Sequence, residues 1–483
     1  MNRPDILLLM ADQMRADCLS CAGHSVVQTP HLDWLAAEGV RFSWAYTECP
    51  VCVPARRSLL TGRFPVSHGV MMNHVPDLSL PGPTLPEVLT ANGYQTHLCG
   101  KLHLAPPRKL HGFMSADWAD NAKAVPKIKD GKAIVDDYQR FLLSEGVRLP
   151  GFSDAHGLSS NSPVARPWHA DERLHFTNWV TDRAVEFLDR RDPTMPFFLK
   201  VSYLHPHPPC TPPWYYYDRY LAAKTPPRPV GDWARVFEGP HHRHHRDPNR
   251  VCLDPVMQHQ LEAGYYGSIN HIDDQINRIL TVLPHPENTL ILFLSDHGEM
   301  LGDHQWFRKH TPWEGAAHIP FIVVPPRVWG IEPGQVCNVP VQLADVMPTC
   351  LSSAGVAIPD SVDGSDLLPV LKGDSAPREF VHGECAEVAT LNSGMHFLTD
   401  GRQKYIWFPG RGEEQLFDLR HDPLELDNLA ESTGGEADLP RWRERLIKVL
   451  EGRPEGFVRE GRLARLDGPT AYYSHPSDQK KSP

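Results

Sequence analysis

Five short runs of unbroken apolar character recur along the chain, at Asp5 to Ala11, Tyr94 to Cys99, Pro196 to Leu204, Thr289 to Ser295 and Ile319 to Val324. A strand with one wet face alternates apolar and polar side chains, so runs this continuous belong to strands buried on both faces. Between them, Thr29 to Glu38, Thr84 to Ala91, Arg173 to Arg190 and Val256 to Val282 carry apolar residues at helical spacing. The alternation predicts an α/β fold with a large, mainly parallel sheet flanked by helices. In such sheets ligands sit beyond the carboxyl ends of the strands.

From about residue 375 the texture changes to shorter alternating runs, GMHFLTD, QKYIWF and EQLFDL, followed by a helical pattern over Leu439 to Leu450. This predicts a small antiparallel sheet with a covering helix. The expected division is a large α/β domain over 1–374, an α+β subdomain over 375–462 and a tail over 463–483. Residues 105–170 and 205–255 are rich in Pro, Gly, His and Trp and poor in periodicity. They read as long loops, which in a compact protein are usually functional.

Composition excludes some partners. The net charge of -11 comes with no long basic block, which argues against a nucleic-acid partner. The first apolar run is too short for a signal-peptide core or a membrane span. Ten scattered Cys, with no secretion signal ahead of them, predict reduced thiols and a cytoplasmic location. Two Cys-x-x-Cys pairs, Cys18 with Cys21 and Cys49 with Cys52, suggest zinc or redox chemistry, but no matching fold context surrounds the first and other features compete for Cys52.

That competition centres on CPVCVPARRSLLTGR, residues 49–63. Pro54 suits the first helical position and Gly62 a left-handed stop, so a short helix is expected from about Val53 to Thr61. Cys52 then sits at the helix N-terminus, where free amides and the helix dipole favour an anion, with Arg56 one turn on. Asp12 and Gln13 end the first strand, and Asp296 and His297 end a later one. Both pairs can converge with Cys52 on one sheet edge, where two carboxylates, an amide oxygen and an imidazole suit a hard or intermediate divalent cation.

Cys52, Pro54 and Arg56, followed by Leu60, Thr61, Gly62 and Arg63, resemble the Cys-x-Pro-x-Arg signature and Leu-Thr-Gly-Arg extension of the formylglycine-dependent sulfatases. TPHLDWLAAEGVRF, GKLHL, HPHPP, SDHGEMLGDH, WEGAAHIPFIV and LFDLRHDPLELDNLA follow in the family's order. The resemblance therefore spans nearly the whole chain, and it implies the alkaline phosphatase-like fold and hydrolysis of a small-molecule sulfate ester. It implies that a maturation enzyme converts Cys52 to formylglycine, whose hydrated aldehyde attacks sulfur and then expels sulfate with its second hydroxyl. It places the cation, calcium by analogy, on Asp12, Gln13, Asp296, His297 and the Cys52-derived residue. Many sulfatases carry Asp-Asp and Asp-Asn at the two paired positions. The Asp-Gln and Asp-His found here resemble choline sulfatases and phosphonate monoester hydrolases, and make manganese the alternative.

By the same matching, Lys101 would hold the formylglycine oxygen and His103 would accept a proton as sulfate leaves. His207 and Lys309 would contact the transferred group and its leaving oxygen, and Asn73 would add a hydrogen bond to the anion. A phosphonate monoester or phosphodiester hydrolase on the same scaffold is the rival reading, and a non-catalytic anion-binding protein is the other. The HHRHHR run at 241–246 offers groups for a metal or an acidic substrate, but reads rather as a solvated loop or a subunit contact of a homo-oligomer. Trp118, Trp168, Trp214 and Tyr215 to Tyr217 fit either pocket walls or loop packing. The tail fits either a wrap around a neighbouring subunit or a disordered end.

Overall fold

The computed structural model of the chain describes residues 3–73, 79–120, 127–129, 131–147, 158, 161–237, 250, 253–374, 378–386 and 394–466. The large sheet has eight strands: β1 (Asp5–Asp12), β2 (Val40–Phe42), β3 (Gln95–Gly100), β4 (Ser115–Trp118), β5 (Phe197–Pro206), β6 (Thr289–Ser295), β7 (Phe321–Val324) and β8 (Gln335–Cys337). Their order is β8-β2-β7-β6-β1-β5-β3-β4. The block from β6 to β4 is wholly parallel. β7 runs antiparallel to both of its neighbours, and β8 is parallel to β2. The orientation of β7 could not be read from its sequence, because a strand covered on both faces looks the same in either direction.

β1 explains why the apolar runs are unbroken. Leu7, Leu9 and Ala11 enter one core, with the helices Pro30–Glu38, Phe176–Arg190 and Pro255–Val282. Ile6, Leu8 and Met10 enter the other, with Cys52–Thr61, Leu85–Ala91 and Val346–Ser353. Side chains alternate between faces with period two, and here both faces are interior.

The two regions read as long loops contain regular elements, which corrects that expectation. β4 extends the large sheet, and helices occupy Asp137–Ser144 and Trp214–Leu221. Asp136 and Gln139 form a capping box ahead of the first helix, a signal the sequence carries. The second buries Tyr216, Tyr217 and Tyr220, so it packs by its tyrosines. Trp118 is buried too, whereas Trp214 and Tyr215 are exposed. The 241–246 run and the tail beyond residue 466 lie outside the described residues.

The C-terminal sheet is an antiparallel meander of β9 (Val381–Cys385), β10 (Met395–Thr399), β11 (Gln403–Phe408) and β12 (Glu413–Asp418). The Leu439–Leu450 helix covers one face through Trp442, Leu446 and Leu450. The other face packs Phe397, Ile406, Phe408 and Phe417 against Cys49, Val51, Trp306 and Trp313. The loop that leads into Cys52 is thus clamped between the two sheets. Among the described residues, no helix is long and apolar enough to cross a membrane.

Candidate active site

Four adjacent parallel strands, β6, β1, β5 and β3, deliver their carboxyl ends to one edge. Asp296 and His297 follow β6, Asp12 ends β1 and Gln13 follows it, His207 follows β5, and Lys101 and His103 follow β3. Between β1 and β5 the register slips, so that Met10 faces Ser202 but Asp12 faces Pro206. The slip brings the His207 N–H to the Asp12 carbonyl at 3.1 Å.

Cys52 opens its helix as the first helical residue, one earlier than expected. Gly62 closes the helix at φ +64°, where a side chain would cost roughly 1 kcal/mol in backbone strain and its Cβ would fall 2.8 Å from Val362 Cγ1. The Cys52 sulfur is buried, 3.1 Å from Lys309 Nζ, 3.2 Å from His297 Nε2 and 4.0 Å from Asp12 Oδ1. Burial alone would push the thiol up, but the charges of Lys309, Lys101 and His297 outweigh it and hold the pKa well below the ordinary value. Cys52 faces away from Cys49, whose sulfur contacts the Met71 carbonyl, so this pair makes no Cys-x-x-Cys site.

Arg56 clamps the carboxylates. Its Nε donates to Asp296 Oδ2 at 2.9 Å, and its Nη2 to Asp12 Oδ2 at 2.9 Å. Nη1 donates to the Lys101 carbonyl and to Ser202 Oγ. Lys101 Nζ adds an ion pair to Asp12 Oδ2. Burial and the Cys52 charge would raise the Asp12 pKa, but Lys101, His207 and Arg56 hold it well below the usual carboxylate range.

The outer carboxylate oxygens are thus committed and the inner ones converge. Asp12, Cys52, Asp296 and His297 each offer a ligand atom, all within 4.8 Å of one another. His297 Nδ1 lies 2.9 Å from the Gly298 carbonyl; donating there leaves the Nε2 lone pair facing the cluster, the tautomer a metal requires. Gln13 donates its amide nitrogen to Glu299 Oε2, which turns its Oε1 inward, 2.8 Å from Lys309 Nζ. This donor set fits a divalent cation. Another cluster, His382, Glu384 and His396, has its carboxylate taken by Arg453 at 3.0 Å and fits one poorly.

Gln13 and His103 occupy left-handed backbone at φ 68° and 54°, as do Arg308 and His310 on either side of Lys309. Each such residue stores of order 1–3 kcal/mol and persists where its surroundings over-determine it. Asp120 holds His103 by accepting its N–H at 2.6 Å, and Trp118 Nε1 donates to the same oxygen at 3.0 Å. Burial and the charge of Lys309 bring the His207 pKa down to about 4. Asn73 stands one step back, its Oδ1 accepting the Val53 N–H at 2.9 Å, so its oxygen serves the helix start.

Glu299, Asp120 and Ser202 were missed by sequence reasoning. Glu299 lies inside SDHGEMLGDH, where an acidic residue two beyond His297 was the available signal. Ser202 and Asp120 carried none, because their roles depend on strand neighbours distant in sequence.

A sulfatase family model matches residues 4–356. The chain belongs to the sulfatase family. A model of the C-terminal part of N-sulphoglucosamine sulphohydrolase also matches residues 302–451. This sulfatase is 39% identical to an arylsulfatase of Clostridium perfringens, over 96% of its own length and 98% of the relative's. It is 28% identical to a choline-sulfatase of Rhizobium meliloti, over 90% of the chain and 84% of that protein. A solved phosphonate monoester hydrolase of Agrobacterium radiobacter superposes with a TM-score of 0.75 at 26% identity, covering 92% of this chain and 95% of that one. The fold is therefore alkaline phosphatase-like, and the enzyme is a sulfuric ester hydrolase.

Proposed function

We propose that this sulfatase cleaves a sulfate monoester through a formylglycine made from Cys52, beside one divalent cation held by Asp12, Gln13, Asp296 and His297. The observation that carries the reading is the Cys52 sulfur itself, buried at the meeting point of Lys309, His297 and Asp12. When bound, the cation, calcium by family analogy with manganese as the alternative, supplies Lewis acidity toward the sulfate oxygens. A formylglycine-generating enzyme is the protein partner this reading requires.

The chain's own residues then divide the work. Lys101, paired to Asp12, sets positive charge beside the nucleophile. Arg56 holds both ligand carboxylates by one oxygen each. His103, held by Asp120 through its backbone N–H, takes the proton released as sulfate is expelled. Lys309, whose Nζ lies 3.1 Å from the Cys52 sulfur, and His207 serve the charge that builds on the transferred group and the leaving oxygen. Asp-Gln and Asp-His together with the phosphonate hydrolase fold match favour a second reading, phosphonate monoester hydrolysis. Lys101 and His103 weigh against it, since the resemblance implies neutral hydroxyl residues there in phosphonate hydrolases.

Mass spectrometry of the tryptic peptide from Phe42 to Arg56, with kinetics on matched esters, tests both readings. Formylglycine at position 52 and a higher kcat/KM for an aryl sulfate than for the matched phosphonate monoester are expected. An unmodified thiol in fully active enzyme overturns the nucleophile, and a phosphonate preference promotes the second reading.

A further inference from the structure

Cys49 lies three residues before Cys52 but faces the other way, into the seam between the two sheets. There it meets Cys385, the last residue of β9. Both sulfurs lie 3.6 Å from the same acceptor, the Met71 carbonyl oxygen, and both side chains belong to one buried apolar cluster. The backbones are stitched on either side: Glu384 N–H donates to the Glu48 carbonyl at 2.7 Å, and Ala386 N–H to the Met71 carbonyl at 3.2 Å. The outer edge of β9 is thereby paired to the segment leading into the Cys52 helix. Strand-like pairing sets neighbouring backbones about 5 Å apart, inside the roughly 4.4–6.8 Å Cα separation that a disulfide spans.

We propose that Cys49 and Cys385 are a disulfide-forming pair that staples the C-terminal sheet to the loop carrying Cys52. The oxidant is of the hydroperoxide or small-disulfide class. With hydrogen peroxide, one sulfur attacks a peroxide oxygen, giving a sulfenic acid and water. The second sulfur then displaces the sulfenic oxygen, forming the S–S bond and a second water. Two electrons pass from the thiols to the peroxide, and the two thiol protons leave in the waters. With a small disulfide, two exchange steps release two small thiols.

Both side chains are buried, and burial, the neighbouring Cys385 and the nearby Glu384 and Glu48 push the Cys49 thiol up. The bond therefore closes while β9 is still docking, when the thiols can meet oxidant and ionise. It ties together positions far apart in sequence, so it removes much unfolded-chain freedom. It also takes Cys49 away from Cys52, leaving position 52 without a competing thiol in its own loop. The proposal is independent of whether Cys52 becomes formylglycine.

The test refolds the full chain from denaturant in a glutathione redox buffer and, in parallel, under excess reductant, followed by alkylation and non-reducing peptide mapping. The expected product is the Phe42–Arg56 peptide joined through Cys49 to the Glu379–Arg402 peptide, with a Tm roughly 5 °C above that of the reduced protein. Cys385→Ser should lose both, while Cys350→Ser, at a buried cysteine remote from the seam, keeps both. If Cys385→Ser fails to fold, the wild-type map alone decides. A map in which Cys49 and Cys385 both remain alkylatable, or in which Cys49 pairs with Cys52, overturns the proposal.

Discussion

Glu299 illustrates how a side chain outside the proposed ligand set can govern it. Its Oε2 takes the amide nitrogen of Gln13, while Oε1 accepts the N–H groups of Leu301 and Arg308. One carboxylate therefore sets which end of the Gln13 amide faces the site and anchors the strained turn that presents Lys309. Outer partners of this kind typically govern metal affinity by about 10–100-fold. Glu299→Gln, which can donate to Gln13 as readily as accept from it, is expected to weaken cation binding by that order when titrated by calorimetry. In Gln13→Asp the ligand has two oxygens and needs no orienting acceptor, so the further change Glu299→Gln should then cost little or improve binding. Equal losses in both backgrounds would make Glu299 a merely structural residue.

At the scale of elements, the Cys52–Thr61 helix is positioned from both ends. Gly62 turns the chain away, and Asn73, returning from the far side of the following turn, accepts the Val53 N–H beside Cys52. Lost caps typically cost about 1 kcal/mol. Asn73→Ala should lower stability by that order in denaturant unfolding, whereas Asn73→Asp keeps the acceptor and should hold stability near wild type. The Asp variant also tests the anion contact expected from the sequence. If the Asn73 amide nitrogen donates to bound sulfate, Asp in its place repels the anion and raises KM. An unchanged KM with intact stability would confine Asn73 to the helix start.

Across the whole molecule, the two sheets meet on a carboxyl group that wants its proton. Glu48 is buried beneath the seam, its Oε1 accepting the Ala344 N–H and its Oε2 without a hydrogen-bond partner among the described residues. Burial pushes its pKa up to about 8, against the lowering effect of the backbone bonds. The folded state therefore binds this proton more tightly than the unfolded chain does. Its stabilising contribution is complete below the ordinary glutamate pKa and is lost as pH rises toward about 8. The Tm of the wild type should accordingly fall more steeply between pH 5 and pH 8, read as ordinary buffer values, than that of Glu48→Gln; parallel curves would show that Glu48 does not carry the proton. The sequence by itself determined the layered α/β architecture, the helix behind Cys52 and the two strand-end pairs brought to it, Asp12 with Gln13 and Asp296 with His297. Apolar periodicity, a proline, a glycine and strand-end polar groups are local signals, and they survive without tertiary context. Tertiary structure alone decided the antiparallel run of β7, the partners of Cys49, the aim of Gln13 and the reach of Asn73. Each depends on atoms brought together by strand order from distant parts of the chain, and strand order is set by how two cores close on both faces of one sheet.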